Sequence, residues 1–473
     1  MSERDRVERF LKNHPHHHQT FFSRPYVSRR RFFEILGAGV TGSYLLPRLK
    51  ADDGAANVTS AGVTTQNKAK NVIFILLTGA ISHTDTFDLK VVNGVTPTNF
   101  QPTTVGGINW PMGLLPKMGA LLPNLALVRS MNAHALVHTL AQHWTQIGRN
   151  PAAALGNIAP NIGSVVAIEK DKERQPGQVF PTFLALNSAA CVGNGYFGAT
   201  YAPFKINPAA AGIPNTANPN DTTGTGRFAQ MYSQLHSLDD PLRVNSPYGK
   251  PLGDYDAFYS SAHGMMYNST VEKAFQFTSA DSQRYGSSGF GNACLVARQV
   301  LAANQGTRFA MISLGSWDMH QDIYGQQNPK GNNMYTMGKP LDDGYAALIA
   351  DLQATGQLDS TLVVMVGEFG RTVGPLSAAG GRDHWIQQSA VFAGAGVKGG
   401  KTIGSTTSDG SATADPGWSR NRSINAEDIE ATIYSAVGID WTTVRHDDPF
   451  GRGFEYVPFS DQDLYGPINE LWA

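Results

Sequence analysis

The chain has 473 residues, 41% of them hydrophobic and 16% charged, enough for one large domain or several ordinary ones around a substantial core. Its 37 Lys and Arg against 38 Asp and Glu leave a formal net charge of -1, which excludes the bulk basic excess that drives nucleic-acid binding. Two cysteines exclude a disulfide framework, a Cys-rich zinc site and an iron–sulfur cluster, and 50 Gly with 26 Pro favour turns over a helical bundle.

Near the N-terminus, Ser28-Arg29-Arg30-Arg31-Phe32-Phe33 precedes Ile35-Leu36-Gly37-Ala38-Gly39-Val40. The apolar stretch over 32–47 is shorter than the about 20 residues a membrane helix needs, so no stable membrane span is expected. Paired arginines before a short apolar segment read as a twin-arginine export signal within residues 1–56, with cleavage between Ala51 and Ala61 and a periplasmic or extracellular destination. His16-His17-His18 lie in the removed segment and are set aside as metal ligands. Cys191 and Cys294 are able to pair in an oxidising compartment only if their geometry permits.

Residues 57–70 read as a linker into a single α/β domain over 71–473. Three continuous apolar runs, 72–77, 309–314 and 362–366, suit strands buried on both faces of a parallel sheet. Apolar residues at Leu341, Tyr345, Leu348, Ile349 and Leu352 have helical spacing, and Gly356 stops that helix before the third strand. The expected fold is a mostly parallel central sheet with helices on both faces. Residues from about 207 to 285 are loop-rich and read as an insertion, partly helical after Arg227. A last helix runs from Ala426 to Val437 and ends at Gly438.

Ionisable clusters follow the strands: Ser82-His83-Thr84-Asp85-Thr86-Phe87-Asp88, Trp317-Asp318-Met319-His320-Gln321-Asp322 and Glu368-Phe369-Gly370-Arg371, then Gly381-Arg382-Asp383-His384-Trp385. In open α/β sheets ligands bind beyond the carboxyl ends of parallel strands. Asp and His gathered there suit a hydrolytic site built on zinc, manganese, calcium or magnesium. His134, His138 and His143 form a further group, and His134 and His138 share a face if that segment is helical.

Those strings, with Gly396-Val397-Lys398-Gly399-Gly400 and Asp428-Ile429-Glu430-Ala431-Thr432-Ile433-Tyr434, resemble the twin-arginine-exported family catalogued as domain of unknown function fifteen hundred and one. The resemblance covers residues from about 70 to 456 and, more loosely, extends to the alkaline phosphatase/sulfatase superfamily. It implies an alkaline-phosphatase-like fold and a divalent metal held by Asp318, His320, Glu368, Asp383 and His384. It also implies Thr139 as a hydroxyl nucleophile, with His138 at the same place implying a different chemistry, and Arg371 or Arg382 holding the anionic group of the substrate. Two departures stand out. The first strand ends in Thr78-Gly79 where the superfamily carries Asp, and Glu368-Phe369 stands where Asp-His is expected, so one metal position is missing or rebuilt from His83, Asp85 or Asp88.

Two functions follow as expectations. One is an exported metal-dependent hydrolase of phosphate or sulfate esters, whose substrate is an anionic ester or a sulfated or phosphorylated glycan. The other is an exported binding or scaffold protein that has lost catalysis on the same fold. An oxidoreductase is disfavoured because no Gly-x-Gly-x-x-Gly follows the first strand.

Overall fold

The structure is a computed structural model that describes residues 58–217, 220, 226–243 and 259–473. The paired arginines and the run at His16 lie outside the described residues. The centre of the fold is an eight-stranded sheet. In chain order its strands are β1 (Asn71–Leu77), β2 (Leu125–Asn132), β3 (Phe183–Leu186), β4 (Phe204–Ile206), β5 (Phe309–Leu314), β6 (Thr361–Gly367), β7 (Gln387–Ala393) and β8 (Lys401–Ile403). Across the sheet they lie in the order β8-β2-β7-β6-β1-β5-β3-β4. All neighbours pair in parallel except β7, which runs antiparallel to both β2 and β6.

The apolar run in β1 forms a strand because both of its faces are covered. Ile73, Ile75 and Leu77 join one core cluster with Ala293 and Val296 of α3 (Gly289–Ala303) and Leu341 and Tyr345 of α4 (Met334–Ala354). Val72, Phe74 and Leu76 join a second cluster with Val165 and Val166 of α2 (Ile162–Lys170) and Ile429 and Ile433 of α5 (Ala426–Ala436). Alternate side chains of one strand therefore serve two cores, which gives the α/β architecture with helices on both sides. The same division separates the cysteines: Cys294 belongs to the first cluster, Cys191 to the second, and both are free.

The expected helix over 341–352 begins earlier, at Met334, where the Asn333 side chain accepts the Tyr335 and Thr336 amides. It contains Pro340 without ending there. The expected helix from Ala426 is observed, and Gly438 follows it with φ +77. Among the described residues of the insertion, helices span Arg227–Arg243, Ser269–Phe275 and Ser279–Arg284. The segment read as a linker is pinned down in its described part: the amides of Lys68 and Ala69 both donate to Ala436 O at 2.8 Å.

The register sets up the functional edge. Leu77 lies opposite Leu314 on one side and Gly367 on the other, so β1, β5 and β6 finish level. β2 ends at that edge too, because its Asn132 pairs with Gln387 at the start of the reversed β7. Chain leaving β1, β2, β5 and β6 and chain entering β7 thus meet in one place.

Candidate metal centre

The loop after β5 alternates. Trp317 and Met319 are buried while Asp318 and His320 are exposed, so Asp318 and His320 face the same way out of the sheet edge. The Trp317 amide donates to Thr78 O at 3.2 Å, which ties this loop to the end of β1. His384 arrives on a short hairpin in which Gly370–Arg371 pairs with His384–Trp385, and Arg371 lies directly opposite His384. Any side chain at Gly370 would run into the carbonyl of Gln387, so this close pairing requires glycine. His138 is the first residue of α1 (His138–Ile147), entered through the extended Val137.

These elements bring His138, Asp318, His320 and His384 together, with one ligating atom of each lying within 4.8 Å of all the others. Asp318 Oδ1 is 2.9 Å from His320 Nε2, 3.2 Å from His138 Nε2 and 3.8 Å from His384 Nε2. The Nε2 atoms of His320 and His384 are 3.0 Å apart. A tetrahedral ion with bonds of about 2.0 Å has edges of about 3.3 Å; the shorter contacts match this, and the group as a whole is somewhat wider.

Two of the three outer ring nitrogens are committed elsewhere. His384 Nδ1 donates to the carbonyl of Leu136 at 2.7 Å, which leaves its Nε2 as a lone pair. His138 Nδ1 donates to Glu368 Oε1 at 2.8 Å. His320 Nδ1 faces Asp383 Oδ1 at 3.6 Å. Carboxylates and carbonyls behind metal-ligating imidazoles fix the tautomer in this way. His138 Nε2 is buried and has no hydrogen-bond partner, which is what a ligand nitrogen looks like before its cation is drawn in. The residues therefore fit a metal ion.

Glu368 was expected to be a ligand, but it stands behind the shell. It is buried, and its Oε1 accepts the Gly79 amide at 2.8 Å and Gln142 Nε2 at 3.1 Å besides His138. His138, expected at the nucleophile position, lies instead within the four-residue group that could hold a metal ion. Asp383 is likewise outside the four-residue group, 75% exposed, with His384's own amide holding its carboxyl below the usual range. Gly79 explains the first-strand departure: its φ is +97, and a Cβ there would lie 2.6 Å from the Asp318 amide, so no side chain fits.

The two arginines turn inward. Arg371 is buried, donates from Nε to Ala80 O at 2.9 Å and from Nη1 to Arg382 O at 3.1 Å, and holds Asp318 Oδ1 at 2.6 Å. Burial opposes ionisation of Asp318, but Arg371, with His138 and His320, keeps its carboxyl below the usual range. Arg382 is buried on Asp85 at 2.7 Å, and its Nη1 is spent on the carbonyls of Thr372 and Gly374. Both guanidinium groups are buried and already paired, Arg382 on interior acceptors and Arg371 on backbone carbonyls and on Asp318 of the four-residue group, so neither presents a free fork to a substrate anion. Thr139 follows His138 and is exposed; among the described residues no hydrogen bond ties its hydroxyl to the four ligating groups.

The remaining candidates serve the scaffold. His83 is buried with Nε2 against Gly410 O at 2.9 Å, and burial lowers its pKa. Asp85 is held by Arg382, Ser82 and Tyr324, and Asp88 by Thr406, Lys90 and Arg129. His134 pairs with Glu427 at 3.0 Å, ahead of α1, so it shares no helix face with His138; His143 Nδ1 donates to Thr139 O. Phe369, which carried no expectation, is fully buried and packs under the rings of His138 and His384, with centroid distances of 4.9 and 4.5 Å. In the matrix of these contacts, Glu-Phe-Gly-Arg supports the ligands from behind. For His138, Glu368 raises the pKa through the hydrogen bond; for His384, burial lowers it, with the Arg371 charge adding to that.

Among solved structures the chain is similar to the PsFucS1 sulfatase from Pseudoalteromonas sp., at 12% identity and TM-score 0.38 over 79% of this chain and 68% of that one. It is similar to the lipoteichoic acid synthase LtaP from Listeria monocytogenes at 12% identity and TM-score 0.38, covering 85% and 79%. It is also similar to the C-terminal periplasmic domain of EcEptC from Escherichia coli, solved in complex with Zn, at 10% identity and TM-score 0.35, covering 86% and 98%. Likenesses this distant carry no residue role across. Comparison with curated proteins returns no match. Over residues 69–457 the sequence matches one family throughout, and the chain belongs to it: the family described as Protein of unknown function (DUF1501).

Proposed function

We propose that the chain is a metal-dependent hydrolase of anionic esters, phosphate or sulfate, that works outside the cytoplasm after twin-arginine export. One observation carries the reading: three imidazoles and one carboxylate from three segments converge at the sheet edge, where the buried His138 Nε2 makes no hydrogen bond and lies 3.2 Å from Asp318 Oδ1. Three nitrogen donors with one oxygen favour zinc or manganese over calcium and magnesium, which take oxygen shells. A divalent cation bound there supplies Lewis acidity, polarising an ester oxygen and lowering the pKa of water.

The chain's own residues do the rest. Glu368 keeps a proton on His138 Nδ1 and so keeps Nε2 available. Arg371 keeps Asp318 ionised and aimed outward. Phe369 closes the floor beneath two of the rings against water. Asp318 and His320 are each 45% exposed, which leaves the outer side open to a substrate. No helix among the described residues is long and apolar enough to cross a membrane.

The test is metal analysis of folded protein purified without chelator, together with a panel of aryl phosphates and sulfates. Stoichiometric metal with turnover that vanishes in Asp318→Ala supports the proposal; metal-free, inert protein overturns it. A second reading, an exported metal-bearing binding protein, is favoured by the inward turn of Arg371 and Arg382. Bound metal with no turnover on any ester would select it.

A further inference from the structure

The rim of the metal centre carries side chains that hydrolysis alone does not require. Eleven large apolar residues are exposed among the described residues, and three of them flank the ligands: Leu136 at 38%, Val137 at 60% and Ile386 at 44%. Val137 immediately precedes His138, and Ile386 lies two residues beyond His384. The backbone clamps the two segments together. His384 Nδ1 donates to Leu136 O at 2.7 Å, and the Ala133 amide donates to Ile386 O at 2.8 Å. Single exposed apolar residues are ordinary, but three on two joined segments beside one site are a patch that a ligand would cover.

The charges around the site agree. Arg371 and Arg382 are buried and their guanidinium groups are already spent within the protein, Arg371 on Asp318 and backbone carbonyls and Arg382 on Asp85 and backbone carbonyls, whereas the exposed carboxylates at the site are Asp383 at 75% and Asp318 at 45%. A polyanionic chain would meet acids here rather than guanidinium forks. Affinity beyond the single anionic group has to come from apolar contact.

Resting on the hydrolase reading, we propose that the substrate is an ester whose leaving group is apolar, an aryl or alkyl group seated on Leu136, Val137 and Ile386, and not a polysulfated or polyphosphorylated glycan. Two non-hydrolysable probes test this on the full chain loaded with zinc, by calorimetry: phenylphosphonate and methylphosphonate. Phenylphosphonate should bind about 10-fold or more tightly than methylphosphonate, since one ring's burial is the only difference between them. In Val137→Ser/Ile386→Ser the preference should shrink to about 3-fold or less while methylphosphonate affinity is unchanged. These residues are exposed, so the variant is expected to fold, which circular dichroism checks; if it does not, Val137→Ser alone is measured. Equal affinity of the two probes for the wild-type chain overturns the apolar seat and leaves the hydrolase reading standing. Failure of both to bind overturns both.

Discussion

Two clusters of the same residue types follow neighbouring parallel strands and end up as opposites. The turn after β1 carries His83, Asp85 and Asp88; the loop after β5 carries Asp318 and His320. In the first, every ionisable side chain is buried, and both carboxylates are matched internally, Asp85 by Arg382, Ser82 and Tyr324, and Asp88 by Thr406, Lys90 and Arg129. In the second, Asp318 and His320 are half exposed and point their acceptors at two more imidazoles. Residue type is common to both, and Asp318, like Asp85, accepts from a buried arginine; what separates the two clusters is exposure and the imidazoles that Asp318 and His320 face.

The sharpest way to break this contrast is to cut each cluster. Asp85→Ala leaves Arg382 buried without its carboxylate and should destabilise the fold by about 3–5 kcal/mol, read by denaturant unfolding, with metal stoichiometry unaltered in the fraction that stays folded. His138→Ala should do the converse: more than about 100-fold weaker metal binding, beyond the loss expected for a supporting residue, with little change in the stability of the metal-free protein. If Asp85→Ala instead abolished metal binding in folded protein, the two clusters would not be separate in function.

Glu368→Gln sharpens the comparison from within the site. It keeps the shape but weakens the acceptor behind His138, and should lower metal affinity by about 10–100-fold, measured by competition with a chelator. A larger loss, equal to that of His138→Ala, would return Glu368 to the ligand shell.

A pH measurement probes the scaffold alone. Burial pushes the Glu430 carboxyl up to about 8, with Tyr434 donating to it at 2.8 Å. The folded state then keeps a proton that the unfolded state has lost above about 4.5, so its contribution to stability declines as pH rises from there to about 8. Glu430→Gln should flatten that decline in thermal melts of chelated protein, and an unchanged slope would assign it to other groups. The smallest effect is expected at Thr139→Ala, under about 0.5 kcal/mol in stability, with turnover retained if its hydroxyl takes no part.

Asp318 and His320 were legible as a pair at the sheet edge because an apolar run followed by Asp-x-His says both that a strand stops and that two side chains leave on one face, whereas His384 was named only from the Gly-Arg-Asp-His-Trp string. The strands themselves were legible for a similar reason: runs of five or six almost wholly apolar residues have few homes outside a doubly covered sheet. His138 was visible as a residue but not as a ligand. It follows β2, whose place at the same edge depends on its pairing with the reversed β7 across 250 residues of chain, and no local pattern encodes that pairing. Glu368 and Arg371 were read as a ligand and an anion-holding residue, and the structure sets them behind the four-residue group, since sequence reports that a carboxylate or guanidinium is near an edge and not which of its atoms faces an interior amide or carbonyl.

By itself the sequence determined the family, the buried parallel strands and a short set of ionisable residues beyond their ends, because periodicity and burial are properties of contiguous chain. The tertiary structure alone decided that His138 joins Asp318, His320 and His384 in one group able to hold a metal, that Glu368, Phe369 and Arg371 stand behind it, and that His83, Asp85 and Arg382 are buried in the interior. Those assignments depend on directions and distances between segments far apart in the chain, which are settled only when the sheet register brings them to a common edge.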